Sequence, residues 1–128
     1  LAHVDSPSGV ISKIASLSKP GGSVIVESTD SRHFVTHLVN FYDKVRGVLI
    51  PLKYSRNILS CAEVVEMFVK HGFTLSNIYR YSLPLPGVHR LFTDSVLYKM
   101  IRLTYGTATR NRNARMGNEC IYHFRRKS

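Results

Sequence analysis

Apolar residues recur along the chain at two periods, and the two periods alternate. Spacings of three and four residues predict helices over residues 5–19, 31–46 and 60–71. The uninterrupted apolar centre of residues 23–28 predicts a strand that is buried on both faces of a sheet. Alternating apolar and polar residues predict two further strands, over 73–81 and 119–126. Helices that alternate with strands in this way are typical of an α/β domain.

Local signals mark where several of these elements begin and end. Residues 60–63 (SCAE) have the form of a capping box, in which a serine hydroxyl and a glutamate carboxylate each accept from the other's backbone amide. The turn at residues 20–22 (PGG) ends the first helix. Residues 90–104 fit a helix or a strand equally well. Residues 105–118 contain almost no large aliphatic side chain, and they predict a flexible basic loop.

Three short stretches resemble class I S-adenosylmethionine-dependent methyltransferases. Residues 1–7 (LAHVDSP) resemble the L-x-H-V-x-D-P stretch that ends the fourth strand of that fold. Residues 17–22 (LSKPGG) resemble the L-L-K-P-G-G turn before the fifth strand, and residues 69–73 (VKHGF) resemble the transition into the sixth. Residues 120–126 occupy the position of the seventh strand, which inserts antiparallel between strands five and six. Residues 28–32 (STDSR) are similar to the S-T-x-N-R stretch of the ubiquinone-pathway O-methyltransferase type, with Ser31 replacing asparagine.

The resemblance implies that residues 1–128 form the C-terminal half of a Rossmann-like methyltransferase sheet, from the end of strand four through strand seven. S-adenosylmethionine would be the cofactor, but the family's glycine-rich first motif and its ribose-binding carboxylate have no counterpart in the sequence. In such sheets the cofactor lies across the carboxyl ends of the first strands, at the point where the strand order reverses. The chain alone is therefore expected to be inactive, because cofactor binding requires the missing N-terminal half.

The same resemblance implies two groups of site residues. His3 and Val4, at the end of strand four, would contact the cofactor, and His3 is the candidate catalytic base; the alternative is a structural histidine that packs the strand end. Glu27, Ser28, Thr29 and Arg32 follow strand five and would line the pocket of the methyl acceptor. For these four residues the alternative is ordinary turn chemistry and capping of the next helix.

Other side chains predict no metal site. His33 and His37 are four residues apart and would share a helix face, but the pattern favours a surface or partly buried pair. Cys61 and Cys120 are far apart and fit no ligand spacing, so we expect reduced thiols in an intracellular protein, cytoplasmic or mitochondrial. The apolar residues of 34–52 could form a lid that touches lipid or an apolar substrate, and the favoured alternative is a helix that covers the domain's own core.

Charge is the last feature that changes the interpretation. The formal net charge is +10, and residues 61–128 contribute +7 of it. A basic C-terminal region favours weak contact with RNA or an anionic membrane, and the alternative is a solvated basic surface. The sequence thus predicts part of a small-molecule methyltransferase; the alternative is an inactive, methyltransferase-like structural or RNA-associated subunit. Further expected partners are the methyl acceptor and either the N-terminal half or a second copy that pairs the exposed sheet edge.

Overall fold

A computed structural model describes residue 4 and residues 6–47, 59–83 and 91–128 of the chain. Within these ranges the order of elements is α1 (Pro7–Leu17), β1 (Ser23–Thr29), α2 (Phe34–Gly47), α3 (Cys61–Lys70), β2 (Phe73–Tyr81), α4 (Asp94–Tyr105), β3 (Gly106–Thr107), β4 (Arg110–Asn111), a 3-10 turn (Ala114–Met116) and β5 (Glu119–Arg126). The predicted helices and strands lie within three residues of these bounds. None of the described helices is both long and apolar enough to cross a membrane.

The main sheet has three strands in the order β1-β5-β2. β5 is antiparallel to both neighbours, so that Val26 faces Tyr122 on one side and Ile78 faces Tyr122 on the other. This is the arrangement predicted for residues 120–126, which were expected to insert antiparallel between the two earlier strands. The described chain is therefore a mixed α/β unit with an antiparallel sheet.

Aromatic side chains on one face of the sheet form the core. Phe68 of α3 stacks on Phe124 of β5 with ring centroids 4.1 Å apart and meets Phe73 of β2 edge-on at 5.5 Å. Ile11 of α1 and Val64 of α3 are fully buried in the same cluster. Burial of aromatic rings of this size contributes a large share of a small domain's stability. The core thus fixes α1 and α3 on the same face of the sheet.

The opposite face of β1 is largely uncovered, which corrects one expectation. The apolar run of residues 23–28 predicted a strand buried on both faces, but Ile25 is 73% exposed. Burial along β1 alternates, with Val26 and Ser28 buried and Ile25 and Glu27 exposed. The physical reason is that α1 and α3 both pack on the side of Val26.

The helix α2 also differs from the favoured interpretation. Its apolar stripe was expected to cover the domain's core, but these side chains are each more than half exposed: Phe34, Leu38, Phe41, Tyr42 and Val45. Thr36 is buried instead, and its hydroxyl donates to the Asp30 carbonyl oxygen at 2.7 Å. Polar contacts at the start of α2 therefore set its rotation, and the apolar stripe faces away from the sheet. The remainder of the predicted 34–52 stretch, residues 48–52, lies outside the described residues.

Residues 105–118 are more ordered than the flexible loop that the sequence predicts. They contain the β3–β4 hairpin and the 3-10 turn, and residues 94–105 before them form a helix. The Asn111 side chain joins this segment to β2, because its Oδ1 accepts from the Arg80 amide at 2.7 Å and its Nδ2 donates to the Arg80 carbonyl at 3.0 Å. An amide side chain that pairs with backbone in this way replaces a strand partner. The segment is held by these polar contacts, and needs no aliphatic core of its own.

Gly117 lets this segment lie directly on β2. A Cβ atom at Gly117 would come within 2.5 Å of the Tyr81 amide nitrogen and 2.7 Å of the Arg80 carbonyl carbon. Real Cβ atoms do not approach backbone this closely, so the position accepts only glycine without a shift of β2. Because of this close approach, β5 begins at Glu119 directly between the ends of β1 and β2.

Candidate functional site

Polar side chains meet at one end of the sheet because of its strand directions. β5 is antiparallel to both β1 and β2, so the first residue of β5 pairs with the last residue of each: Glu119 faces Thr29 and also Tyr81. The predicted residues Glu27, Ser28 and Thr29 therefore lie at the same end of the sheet as the last residues of β2. Ligand contacts are often made by residues at the ends of strands that meet at one end of a sheet.

At this end of the sheet, the face opposite the core carries two carboxylates that accept hydrogen bonds from hydroxyl groups. The Tyr81 hydroxyl donates to Glu27 Oε1 across β5, and the Thr29 hydroxyl donates to Glu119 Oε2 at 2.9 Å. Burial raises the pKa of Tyr81, and the hydrogen bond to Glu27 raises it further. Tyr81 therefore remains a protonated donor throughout the neutral pH range. We name this set, Glu27, Thr29, Tyr81 and Glu119, the rim cluster.

Ser28 lies on the other face of β1, away from the rim cluster. Its side chain is buried, and its hydroxyl donates to the Tyr122 hydroxyl at 3.1 Å. Successive side chains of a strand point to opposite faces, so Ser28 cannot share a surface with Glu27 and Thr29. The structure thus divides the four residues predicted to line the acceptor pocket.

Asp30 organises the turn after β1, although the sequence did not single it out. Its Oδ2 pairs with Arg80 Nη2 at 3.0 Å, and its Oδ1 accepts from the amides of Arg32 and Cys61 at 3.2 and 3.3 Å. Arg32 therefore enters this network through its backbone, and its side chain is exposed. An aspartate whose side chain accepts from the amide two residues later is a common turn motif. This local spacing is the one feature of the sequence that could have identified Asp30.

His33 and His37 do not converge. The Nδ1 of His33 accepts from the Val35 amide at 3.2 Å, and its Nε2 lies 2.9 Å from the Arg115 carbonyl oxygen, which places the ring proton on Nε2. Both ring nitrogens of His33 are thus used by backbone, while His37 is exposed. The described part of the chain contains no group of three or more His, Cys, Asp or Glu placed to hold a metal ion.

The two remaining predicted residues are at the start of the chain. His3 lies outside the described residues. Val4 is half-buried. Their predicted roles, contact with the cofactor and proton transfer, stay predictions.

Comparison with known proteins finds similarity at the level of structure and not of sequence. No family model matches the chain, and no curated protein matches it. A solved structure from Thermotoga maritima, described as an S-adenosylmethionine-dependent methyltransferase and a possible histamine N-methyltransferase, is similar with a TM-score of 0.59 at 16% identity. The match covers 97% of this chain and 51% of the neighbour, so the chain spans about half the neighbour's length. The fold of the described chain is therefore similar to about half of a methyltransferase.

Proposed function

We propose that the chain forms the acceptor side of an S-adenosylmethionine-dependent methyltransferase that acts on a small molecule. The fold likeness, which covers nearly all of this chain and half of the neighbour, is the observation that carries the proposal. In this assignment β1, β2 and β5 correspond to strands five, six and seven of a Rossmann-like class I methyltransferase sheet. The similarity of residues 28–32 to S-T-x-N-R supports the ubiquinone-pathway O-methyltransferase type.

The cofactor requires residues that this chain does not supply. The sequence has no glycine-rich turn between a strand and a helix followed by a carboxylate for the ribose. S-adenosylmethionine would donate the methyl group from a site in the other half of the domain. The chain's own contribution would be the wall against which the acceptor is placed.

The rim cluster supports this role through its chemistry. The Glu27 carboxylate is exposed and would accept a hydrogen bond from an acceptor hydroxyl or amino group, while the Tyr81 hydroxyl holds the carboxylate in orientation. Thr29 holds Glu119 in the same way at the neighbouring position. Fixing the acceptor in line with the departing methyl group supplies much of the rate enhancement in such transfers. His3 remains the candidate base, and Val4 the candidate cofactor contact beside it.

The uncovered edge of β1 supports a partner for the sheet. β1 pairs with β5 on one side only among the described residues, and Ile25 is largely exposed next to that edge. We propose that the N-terminal half of the domain adds a strand along β1 and covers Ile25, with a second copy of the chain as the alternative partner. Free cysteines at Cys61 and Cys120 favour an intracellular location, cytoplasmic or mitochondrial.

Thermal unfolding with and without S-adenosylmethionine tests the proposal. A polypeptide that joins this chain to the sequence encoded upstream of Leu1 should melt at a higher temperature when the cofactor is present, because a ligand that binds only the folded state stabilises it. The 128-residue chain alone should show no shift. Glu27→Gln in the longer polypeptide should leave the shift unchanged and lower methyl transfer to the acceptor roughly tenfold or more. Absence of any shift in the longer polypeptide contradicts the proposal.

A second candidate function follows from the exposed arginines near the C-terminal end of the described chain. The side chains of Arg110, Arg112, Arg115 and Arg125 are all exposed. Such a surface favours a polyanion, and RNA is the partner we propose for an inactive, structural form of the domain. A weak contact with an anionic membrane is the other expectation for the same region.

A further inference from the structure

Two cysteines meet on the core face of the sheet, below the turn that follows β1. Cys120 of β5 lies opposite Arg80 of β2 and opposite Ser28 of β1. Cys61 is the first residue of α3, and its amide donates to the same Asp30 carboxylate that pairs with Arg80. The fold thus brings together two thiols that are 59 positions apart in the sequence.

The two thiols differ in exposure, although both belong to the same packed part of the core. Cys120 is fully buried, whereas Cys61 is partly exposed and packs against the core cluster that contains Cys120. Neither residue takes part in a disulfide. A small oxidant in solution would therefore reach Cys61 first.

The surroundings of Cys61 favour its thiolate. The hydrogen bond from Cys120, with smaller effects of Arg80 and Tyr122, lowers the pKa of Cys61 to about 5, although burial opposes the shift. The position of Cys61 at the N-terminal turn of α3 acts in the same direction. The pKa of Cys120 is raised, because its thiol donates to Cys61 and because it is buried. The surroundings therefore favour attack by the Cys61 sulfur over attack by the Cys120 sulfur.

We propose that Cys61 and Cys120 form a dithiol that hydrogen peroxide oxidises to a disulfide. The Cys61 thiolate attacks one peroxide oxygen, the O–O bond breaks, hydroxide leaves, and Cys61 becomes a sulfenic acid. The Cys120 sulfur then attacks the Cys61 sulfur, the S–O bond breaks, and the leaving oxygen takes the Cys120 proton to depart as water. The two thiols lose two electrons in total, and one peroxide is reduced.

The two cysteines lie on the opposite face of the sheet from the rim cluster, and their oxidation uses no group of that cluster. The cysteine pair does reach the same turn: Asp30 binds the Cys61 amide and Arg80, and the chain leaves β1 at Asp30. A disulfide would tie the start of α3 covalently to β5 at this point. Peroxide would thereby tighten the segment that carries Thr29.

Peptide mapping after peroxide treatment tests the proposal on the chain itself. The reduced protein treated with stoichiometric hydrogen peroxide should lose two hydrogen masses and yield a peptide that links Cys61 to Cys120. Cys120→Ser should instead give a sulfenic acid at Cys61 that a dimedone probe captures. Cys61→Ser should give no adduct at Cys120 on the same time scale. A disulfide-free wild-type product, or equal labelling of Cys120 in Cys61→Ser, would overturn the proposal.

A second measurement follows the wild-type thiol directly. Alkylation of wild-type Cys61 by iodoacetamide at pH 6 should be about tenfold faster than that of a free peptide cysteine, since the larger thiolate fraction exceeds the loss of intrinsic nucleophilicity. Arg102→Gln, at an exposed position on α4, is the matched control for Arg80→Gln. Only Arg80→Gln should slow the alkylation. Wild-type alkylation no faster than that of the peptide would also overturn the proposal.

Discussion

Asp30 joins three separate parts of the chain through one carboxylate. It is 7% exposed, and it binds the backbone of its own turn, the first amide of α3 and the guanidinium of Arg80 on β2. A buried carboxylate is stable only when it is paired and hydrogen-bonded. Asp30 meets both conditions, and so it fixes the place where β1, β2 and α3 meet.

We expect Asp30→Asn to lower the free energy of unfolding by about 2–4 kcal/mol, because it leaves the Arg80 guanidinium partly buried without a counter-charge. Urea unfolding followed by circular dichroism measures the loss. Glu66→Gln is the matched control, since the Glu66–Lys70 pair on α3 is well exposed and should contribute less than about 1 kcal/mol. Equal effects of the two substitutions would contradict this role of Asp30.

At the scale of residues, the resemblance to methyltransferases assigned Glu27 and Thr29 to the acceptor pocket, and that role stays a prediction. In the fold these two residues lie on the outer face with Tyr81. Tyr81, Asp30 and Arg80 were missed because their roles depend on partners 50 or more positions away in the sequence. The alternation of a strand also separates Ser28 from Glu27 and Thr29, but only the fold shows which face is buried.

At the scale of elements, α3 begins with the capping box that the sequence predicts. The Ser60 hydroxyl accepts from the Glu63 amide at 3.3 Å, and Glu63 Oε2 accepts from the Ser60 amide at 2.7 Å. The Ser60 hydroxyl and the Ser60 amide also both donate to the Glu63 carboxylate, and these two hydrogen bonds lower the pKa of Glu63. The prediction was possible because every group in the motif lies within four consecutive residues.

Removal of this cap should have a pH-dependent effect. Ser60→Ala should destabilise the protein by about 1 kcal/mol at pH 7, whereas Ser16→Ala, an exposed serine inside α1, should change stability by less than about 0.5 kcal/mol. Because the pKa of Glu63 in the folded protein lies below its ordinary value of 4.5, the ionised carboxylate stabilises the fold above that pH. The stability advantage of wild type over Glu63→Gln should therefore shrink as the pH falls below 4.5, as measured by urea unfolding at pH 7 and pH 3. An advantage that stays constant would contradict the box.

Other elements could not be oriented from sequence. Helical spacing correctly placed an apolar stripe along α2, but long-range contacts at the start of the helix turn that stripe outward. His33 Nε2 pairs with the Arg115 carbonyl oxygen, and the Asn118 side-chain amide donates to the Thr36 hydroxyl. Residues 105–118 lack aliphatic side chains, so the sequence contained no sign that Asn111 would attach them to β2. In both cases polar tertiary contacts decide the structure, and no periodicity records them.

At the scale of the whole molecule, the charge of +10 predicts salt-dependent binding of polyanions. Affinity for a single-stranded RNA should fall as salt rises, and a variant with Arg110, Arg112 and Arg115 changed to glutamine should reduce the slope of log K against log salt by about 2. Lys13 and Lys19, changed together to glutamine, are the control, since they lie in α1 and the turn after it, outside the arginine-bearing segment, and should leave most of the slope intact. Filter binding measures the RNA affinity at each salt concentration. Binding to anionic vesicles is measured separately, for the membrane alternative. No RNA binding at low salt contradicts the RNA-associated alternative.

The sequence anticipated the strand arrangement better than the layering. The resemblance at residues 17–22 and 69–73 predicted a closing strand between two earlier ones, and β5 has that position. Both-sided burial of β1 was predicted from its composition, and Ile25 shows that one side is uncovered. A continuous apolar run shows that both faces of a strand are able to be buried. Which face is buried depends on the helices that pack against the sheet.

The central position of β5 has a consequence for biosynthesis. β1 and β2 leave the ribosome first, but neither pairs with the other, and their pairing with β5 can form only after residues 119–126 have been made. Pairs such as Ser28 with Cys120 span most of the chain, and such long-range contacts form slowly. Until then the edges of β1 and β2 that later pair with β5 stay unpaired, and unpaired edges favour aggregation during translation. A chain truncated before Glu119 should consequently accumulate in inclusion bodies or be held by chaperones, instead of persisting as a smaller folded unit.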